Sequence, residues 1–419
     1  MTELDAPGSD GPDSPDVLDV ANVRARYPAL ADGWAYLDGA AGTQLPASVI
    51  DAIADAYRAG LGNQGGPFAA SGRSDRLVAE CRRAVADLVG GQPDGVVIGP
   101  NMTTLTYRLA ETISRNWAQG DEIVLSRLDH DANVRPWVQA ATASGATVRW
   151  AEFDPATGEL PVEQYDQLLG DRTRLVAVTA ASNVLGTRPD VPAITARAHA
   201  AGALTFVDGV HATPHGPVDV AALGADLYAT SSYKWSGPHA GFVIADPAVL
   251  ERLRPYKLAP APATGPDRFE RGTHAFADLA GVIAAVEHLA ALAPGSATTR
   301  RSRVLASMAA AAAYEERLFT GLLRRMSRLD GVKLYGDPAR RTATAYFDVE
   351  DLSPRRVAEA MAAAKVNVWS GTNYAWEVAR VLGIQESGGA VRVGLVHYND
   401  ESDVARFLDV LGRLVAGDA

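Results

Sequence analysis

The 419-residue sequence is 47% hydrophobic and 21% charged, with a formal net charge of −11, a composition that suits a globular chain with a large core. Such an acidic chain has no electrostatic reason to bind nucleic acid or an anionic membrane, and no apolar run is long enough to span a bilayer. One cysteine, Cys81, excludes both a disulfide framework and a cysteine-built zinc site within the chain, and no other metal site is expected.

Residues 1–20 are acidic and rich in Pro and Gly, without the basic start and apolar centre of a signal peptide. They read as a disordered leader, and the expected location is cytoplasmic. RSDRLVAECRRAVADLV then follows a helical pattern, which makes Cys81 a small buried residue. From about residue 93 to 245 short apolar strands alternate with amphipathic helices. VVIG precedes the helix MTTLTYRLAETI, EIVLS precedes ANVRPWVQAATASG, and ATVRWAEF precedes VEQYDQLL. RLVAVTAAS, the helix DVPAITARAHAAG, and the strands LTFVD, DLYATSS and AGFVIA complete the series. This alternation predicts βαβ units and a mainly parallel sheet.

The Pro, Gly and Ala-rich stretch YKLAPAPATGPDRFERG (256–272) reads as a boundary. Helices over 275–293 and 298–328 follow, then VKLYG, TATAYFDV, SPRRVAEAMAAA and VRVGLV. The expected organisation is a large α/β domain over 21–265, its first residues packing on the smaller unit, and a small α+β domain over 266–419.

Parallel sheets bind ligands at the carboxyl ends of their strands, so polar residues there carry functional weight. LTFVDGVHATPHG puts Asp208 at such an end, with His211 three residues on. DLYATSSYKWSGPHAG puts Ser231, Ser232, Tyr233 and Lys234 at the next. Lysines ordinarily sit on solvated faces; one among hydroxyls after a buried strand, beside a strand-end carboxylate, suits pyridoxal phosphate (PLP). That cofactor needs an amine to carry its aldehyde and a carboxylate to keep its pyridine protonated.

Several ordered motifs make the chain resemble the class V aminotransferase family, in its cysteine desulfurase-like branch. They are YLDGAAGTQLP (36–46), GDEIVLSRLDHDANVRPW (120–137), ASNVLGT (181–187), the run FVDGVHATPHG to SSYKWSGPHAG (206–241), RFERGTHAF (268–276) and VRVGLVHYN (391–399). The resemblance implies the PLP-dependent transferase fold type I, with a seven-stranded large-domain sheet and a small C-terminal domain. It implies a homodimer with a small amino-acid substrate. Lys234 would be the Schiff-base lysine, Asp208 the partner of the pyridine nitrogen, and His130 the ring stacked on the pyridine face. Asn183 and His211 would hydrogen-bond the cofactor's 3′-oxygen. Met102 and Thr103 open a helix whose free N–H groups suit a phosphate, with hydroxyls of Thr103, Ser231 and Tyr233 beside them. Thr273 would cross to the partner's phosphate, and Arg392 would hold the substrate α-carboxylate in a two-bond fork.

The segment VWSGTNYAWEV (368–378) departs from the desulfurase pattern, because Tyr374 or a neighbour stands where the mobile cysteine is found. Trp369, Tyr374 and Trp376 suggest an aromatic wall at the substrate, with core packing an equal alternative for Trp376. The leading expectation is a lyase working by β-elimination or C–S cleavage without a persulfide. Transamination and epimerisation, the latter with Tyr374 or His211 as second base, are alternatives. A catalytically idle PLP-binding protein is the alternative of another class.

Overall fold

The computed structural model describes residues 18–417. The expected leader lies outside the described residues except for its last three. Of these, Leu18 is buried, Asp19 caps the first turn by accepting from the Asn22 N–H, and Val20 opens the helix Val20–Ala25. Leu18 and Val23 both have apolar partners in the main core.

Seven strands form one sheet, in the order Val96–Gly99, Gly241–Ala245, Leu227–Ser231, Leu204–Asp208, Thr173–Thr179, Glu122–Ser126 and Thr147–Ala151. Gly241–Ala245 runs antiparallel to both neighbours; every other pairing is parallel. Successive residues of each strand point to opposite faces. Val124, Val176, Val178, Val207 and Phe242 join one core, while Ile123, Leu125, Leu175, Phe206 and Val243 join the other. Burial on both faces explains why these strands are continuously apolar.

The helix Met102–Ile113 starts where Asn101 caps it, Asn101 Oδ1 accepting from the Thr104 N–H at 2.8 Å. Two expected elements are shorter. The helix expected over 162–169 keeps one turn, Tyr165–Leu168, and the helix expected from residue 132 starts at Arg135, after the tight turn Asp131–Asn133. Pro136 suits that start, because the missing N–H of a first-turn proline would have no helical partner.

A second sheet is antiparallel, in the order Trp369–Gly371, Ala390–Gly394, Thr344–Val349 and Val332–Tyr335. Its core includes Phe347, Val393, Phe407 and Leu411, with Leu318 and Leu322 from the long helix Arg300–Met326. The helix Glu401–Ala416 closes this layer; Asp400 and Asp403 form its capping box. Ala35–Tyr36 pairs in parallel with Val366–Asn367. The Gly394 N–H donates to the Leu37 carbonyl at 2.8 Å, which stitches the early YLDGAAG run to the strand bearing Arg392. Among the described residues no helix is long and apolar enough to cross a membrane.

Candidate active site

Three neighbouring strands deliver their last residues to one place. Thr179 ends Thr173–Thr179, Asp208 ends Leu204–Asp208 and Ser231 ends Leu227–Ser231, after which the turn Ser232–Lys234 brings up Lys234. The first turn of Met102–Ile113 faces them, because Gly241 lets a strand pass closely. A Cβ at Gly241 would stand 2.4 Å from the Met102 nitrogen.

Two adjoining cavities result. A deep one of about 50 Å³ is lined by Met102, Asp208, His211 and Ser231 among others. An outer one of about 1010 Å³ carries Trp369, Tyr374 and Arg392. Both share Asn101, Thr103, His130, Asn183, Tyr233 and Lys234. Of the residues given a cofactor or carboxylate role, all line one or both except Thr273. That residue is exposed and lines neither.

Lys234 is buried, and its Nζ donates to the Ala40 carbonyl. Burial, reinforced by Arg392, pulls its amine down to about 7 against the opposing charges of Asp208 and Asp38. Burial pushes Asp208 up to about 6, although its carboxylate accepts from the Val210 N–H at 2.9 Å and Lys234 favours its charged form. His130 is pulled down to about 3, by burial first and then by Lys234 and Arg392, so its ring is neutral at physiological pH. Its Nδ1 accepts from the Ala132 N–H at 3.0 Å, which fixes the ring, and Tyr374 lies 5.5 Å away centroid to centroid.

The phosphate expectation is narrower in the structure. The Met102 N–H already donates to Ser231 Oγ at 3.0 Å and the Thr104 N–H to Asn101, which leaves the Thr103 N–H of that turn free. The Tyr233 ring stacks on His239 at 5.0 Å. His211 Nε2 lies 3.0 Å from both Thr342 Oγ1 and Thr344 Oγ1, so only Nδ1, buried and unpartnered, is open. Asn183 Nδ2 donates to the Asn373 carbonyl at 2.9 Å, and its Oδ1 is likewise buried without a partner. Arg392 is buried, with Nη1 donating to the Asn183 carbonyl at 3.1 Å. Opposite it in the register stands Trp369.

The aromatic wall is partly corrected. Trp369 and Tyr374 line the outer cavity; Trp376 does not, and at 44% exposure it is not core either. Asp131, Arg135, Tyr107 and His239 also line the cavity and were not singled out from sequence. The first two adjoin His130 in the HDANVR run, where proximity was an available signal. Tyr107 lies one helical turn past Thr103, and a helix-face reading of that segment would have found it.

A family model described as Aminotransferase class-V matches residues 35–407. The chain belongs to the class V aminotransferase family. The family is PLP-dependent, so this class V member is an enzyme of that type and PLP is its cofactor. An uncharacterised protein of Mycobacterium tuberculosis is 39% identical over 397 residues, which cover 94% of this chain and 99% of that protein. A probable cysteine desulfurase of Pseudomonas aeruginosa is 34% identical over 408 residues, covering 93% and 97%. The solved cysteine desulfurase of Escherichia coli in its S-sulfonic acid form superposes with a TM-score of 0.85 at 26% identity, covering 96% of this chain and 99% of that one. The residues present suit PLP. Asn183 and His211, whose Oδ1 and Nδ1 are orphaned, line the deep cavity with Asp208, a carboxylate that forms no ion pair among the described residues.

Proposed function

We propose that the chain is a lyase that removes a substituent from the β-carbon of an α-amino acid. The observation that carries this reading is the convergence of Lys234, Asp208 and Arg392 on one pair of cavities while the only cysteine stands elsewhere. Cys81 is fully buried in the helix Ala69–Val89, and burial pushes its thiol far up, so a thiolate there is disfavoured. A persulfide route therefore has no support from the cysteine of this sequence.

In this reading Asn183 and His211 would hold the cofactor's ring oxygen, Thr103 and Ser231 its phosphate, and His130 its face. Asp208 would keep the pyridine nitrogen protonated, since a neighbouring cation offsets the cost of its buried charge. When bound, PLP supplies an electron sink for charge developing at the substrate Cα. Arg392 holds the α-carboxylate and so fixes which Cα bond stands free to break. Lys234 would take the Cα proton and return one to the departing group. Epimerisation has less support: His211 Nε2 is engaged by two threonines and Tyr374 is 74% exposed at the rim.

The test is a panel of amino acids bearing β-leaving groups, scored for pyruvate, ammonia and the released group, with pyridoxamine phosphate assayed alongside. Release of all three with one substrate is expected, unchanged in Cys81→Ala. Stoichiometric pyridoxamine phosphate without pyruvate would replace elimination by transamination. Loss of turnover in a folded Cys81→Ala protein would overturn the cysteine-free route.

A further inference from the structure

A separate cavity of about 700 Å³ is walled by Arg188, Arg340, Arg341, His215 and Glu315. Its arginines are brought together by backbone pairing. Thr187 and Arg341 form an antiparallel bridge, and the Arg188 N–H donates to the Arg340 carbonyl at 2.9 Å. That register sets Arg188 directly opposite Arg340, a like-charge pair of the kind that destabilises a ribbon, and the Glu315 carboxylate is the one charge of the wall that outweighs Arg340 at the Arg188 guanidinium. Among the described residues none of the three arginines forms an ion pair. Arg188 spends Nη2 on the His215 carbonyl at 2.9 Å; Arg341 spends Nη2 on the carbonyls of Leu185 and Thr344.

Polar atoms left over gather here. Arg188 Nε, Arg341 Nε, His215 Nε2 and Glu315 Oε1 are all buried and unpartnered. His215 and Glu315 are 4% and 2% exposed, and they bind each other at 2.6 Å through their other polar atoms. Burial pulls the Arg341 guanidinium down to about 10, with Asp337 opposing. The remaining charged groups of the wall are Asp219, which pairs with Arg301 at 3.4 Å, and the exposed Glu316. Native interiors rarely leave so many buried groups unsatisfied in one spot without a ligand or ordered water.

This cavity also touches the cofactor site. Thr342 lines it, and Thr342 Oγ1 is one of the two contacts of His211 Nε2. The His211 and His215 rings stand edge to face at 4.8 Å.

We propose that this cavity is a second binding site, for a small molecule bearing an oxyanion group, phosphate or carboxylate, gripped by Arg188 and Arg340 and coupled to the cofactor through His215, Thr342 and His211. The grip stands on this cavity alone; the coupling rests on the PLP reading above. A bound anion would neutralise the opposed arginines and change what His215 presents to His211. His211 would in turn alter the hydrogen bond it offers the cofactor.

Calorimetric titration of the PLP-loaded protein tests this, with inorganic phosphate in one arm and succinate in the other, at constant ionic strength in chloride. Saturable binding of at least one anion is expected, about one per chain. The double variant Arg188→Gln, Arg340→Gln should weaken it at least about tenfold, since charge-assisted forks supply the grip. Arg340 is exposed, so Arg340→Gln alone gives a fold-safe reading and should weaken binding by about threefold. The saturating anion should shift the pH midpoint of the cofactor's absorbance in the wild type and not in the double variant. Absence of saturable binding by either anion, or binding indifferent to both variants, would overturn the site. Binding that the variants abolish, with no absorbance shift, would overturn the coupling. A colourless protein would strike the PLP reading instead, and the arginine variants would still report on the cavity.

Discussion

Lys234 is placed between opposed influences. Burial and Arg392 favour its neutral amine, while Asp208 and Asp38 favour the ammonium. Burial wins, and the group falls from 10.5 to about 7. Only the unprotonated amine attacks an aldehyde, so a lowered value means the reactive form appears at lower pH. In protein stripped of cofactor, the rate of covalent PLP capture, trapped by borohydride and read by mass, should rise about tenfold from pH 6 to 8 and then level off. A rate still climbing tenfold per unit at pH 9 would show a lysine of ordinary basicity. At this scale the placement of Lys234 and Asp208 was legible in sequence, because Asp208 ends a buried strand and Lys234 lies one short turn beyond the next. The engagement of His211 with Thr342 and Thr344 was not, since those partners lie more than a hundred residues away and meet only in the fold.

At the scale of elements, the turn bearing Lys234 is held by segments that packing brings from both ends of the chain. Ser236, two residues on, adopts φ +64°, an unfavourable region for a non-glycine residue. Its N–H donates to Thr43 Oγ1 at 2.7 Å, and Thr43 N–H donates to the Tyr233 carbonyl at 2.9 Å. The buried Tyr27 hydroxyl stands 2.8 Å from Ser236 Oγ, His288 Nε2 and His397 Nε2. Burial pulls His288 down to about 4 and His397 down to about 3, so both rings are neutral partners at pH 7. Tyr27→Phe leaves three buried polar groups without their shared partner, and should cost about 1–3 kcal/mol. Chemical denaturation of the PLP-loaded variant at neutral pH reads that loss as a lower midpoint. An unchanged midpoint would mean the groups find other partners. Individual helices and strands of this region were read from periodicity, but the hub joining Tyr27, Ser236, His288 and His397 has no local signature.

The whole molecule raises the question of Thr273, the one residue expected to contact the cofactor that stands away from both cavities in its own chain. Its loop is nonetheless firmly anchored. Glu270 receives Arg82 at 2.8 Å and His274 at 2.8 Å, and accepts from the Ile98 N–H at 2.7 Å. A fixed loop holding an exposed threonine is the arrangement that a second copy would need in order to borrow it. If two chains share their sites across an isologous interface, mixing the inactive variants Lys234→Ala and Thr273→Arg should restore part of the activity. Activity that never reappears, with both variants folded and PLP-binding in Thr273→Arg, would mean that each chain completes its own site. The same assembly would bear on the outer cavity, whose rim carries Tyr374 and Trp369, 74% and 52% exposed in the single chain.

Local order along the chain determined much of this. The alternation of apolar strands with amphipathic helices required a mainly parallel sheet, and connections of that kind bring strand ends, hence Asp208, Ser231 and Lys234, to one edge. Capping by Asn101 and the start at Met102 were equally local, as was the inert setting of Cys81 in an apolar helix stripe. Tertiary packing alone decided which N–H of the Met102 turn stays free, that Trp376 leaves the wall, and that Arg188 faces Arg340 beside a buried His–Glu pair. Those outcomes depend on contacts between segments far apart in sequence. Periodicity and capping reflect interactions within a few residues, whereas hydrogen-bond satisfaction and charge pairing are settled only when distant surfaces meet.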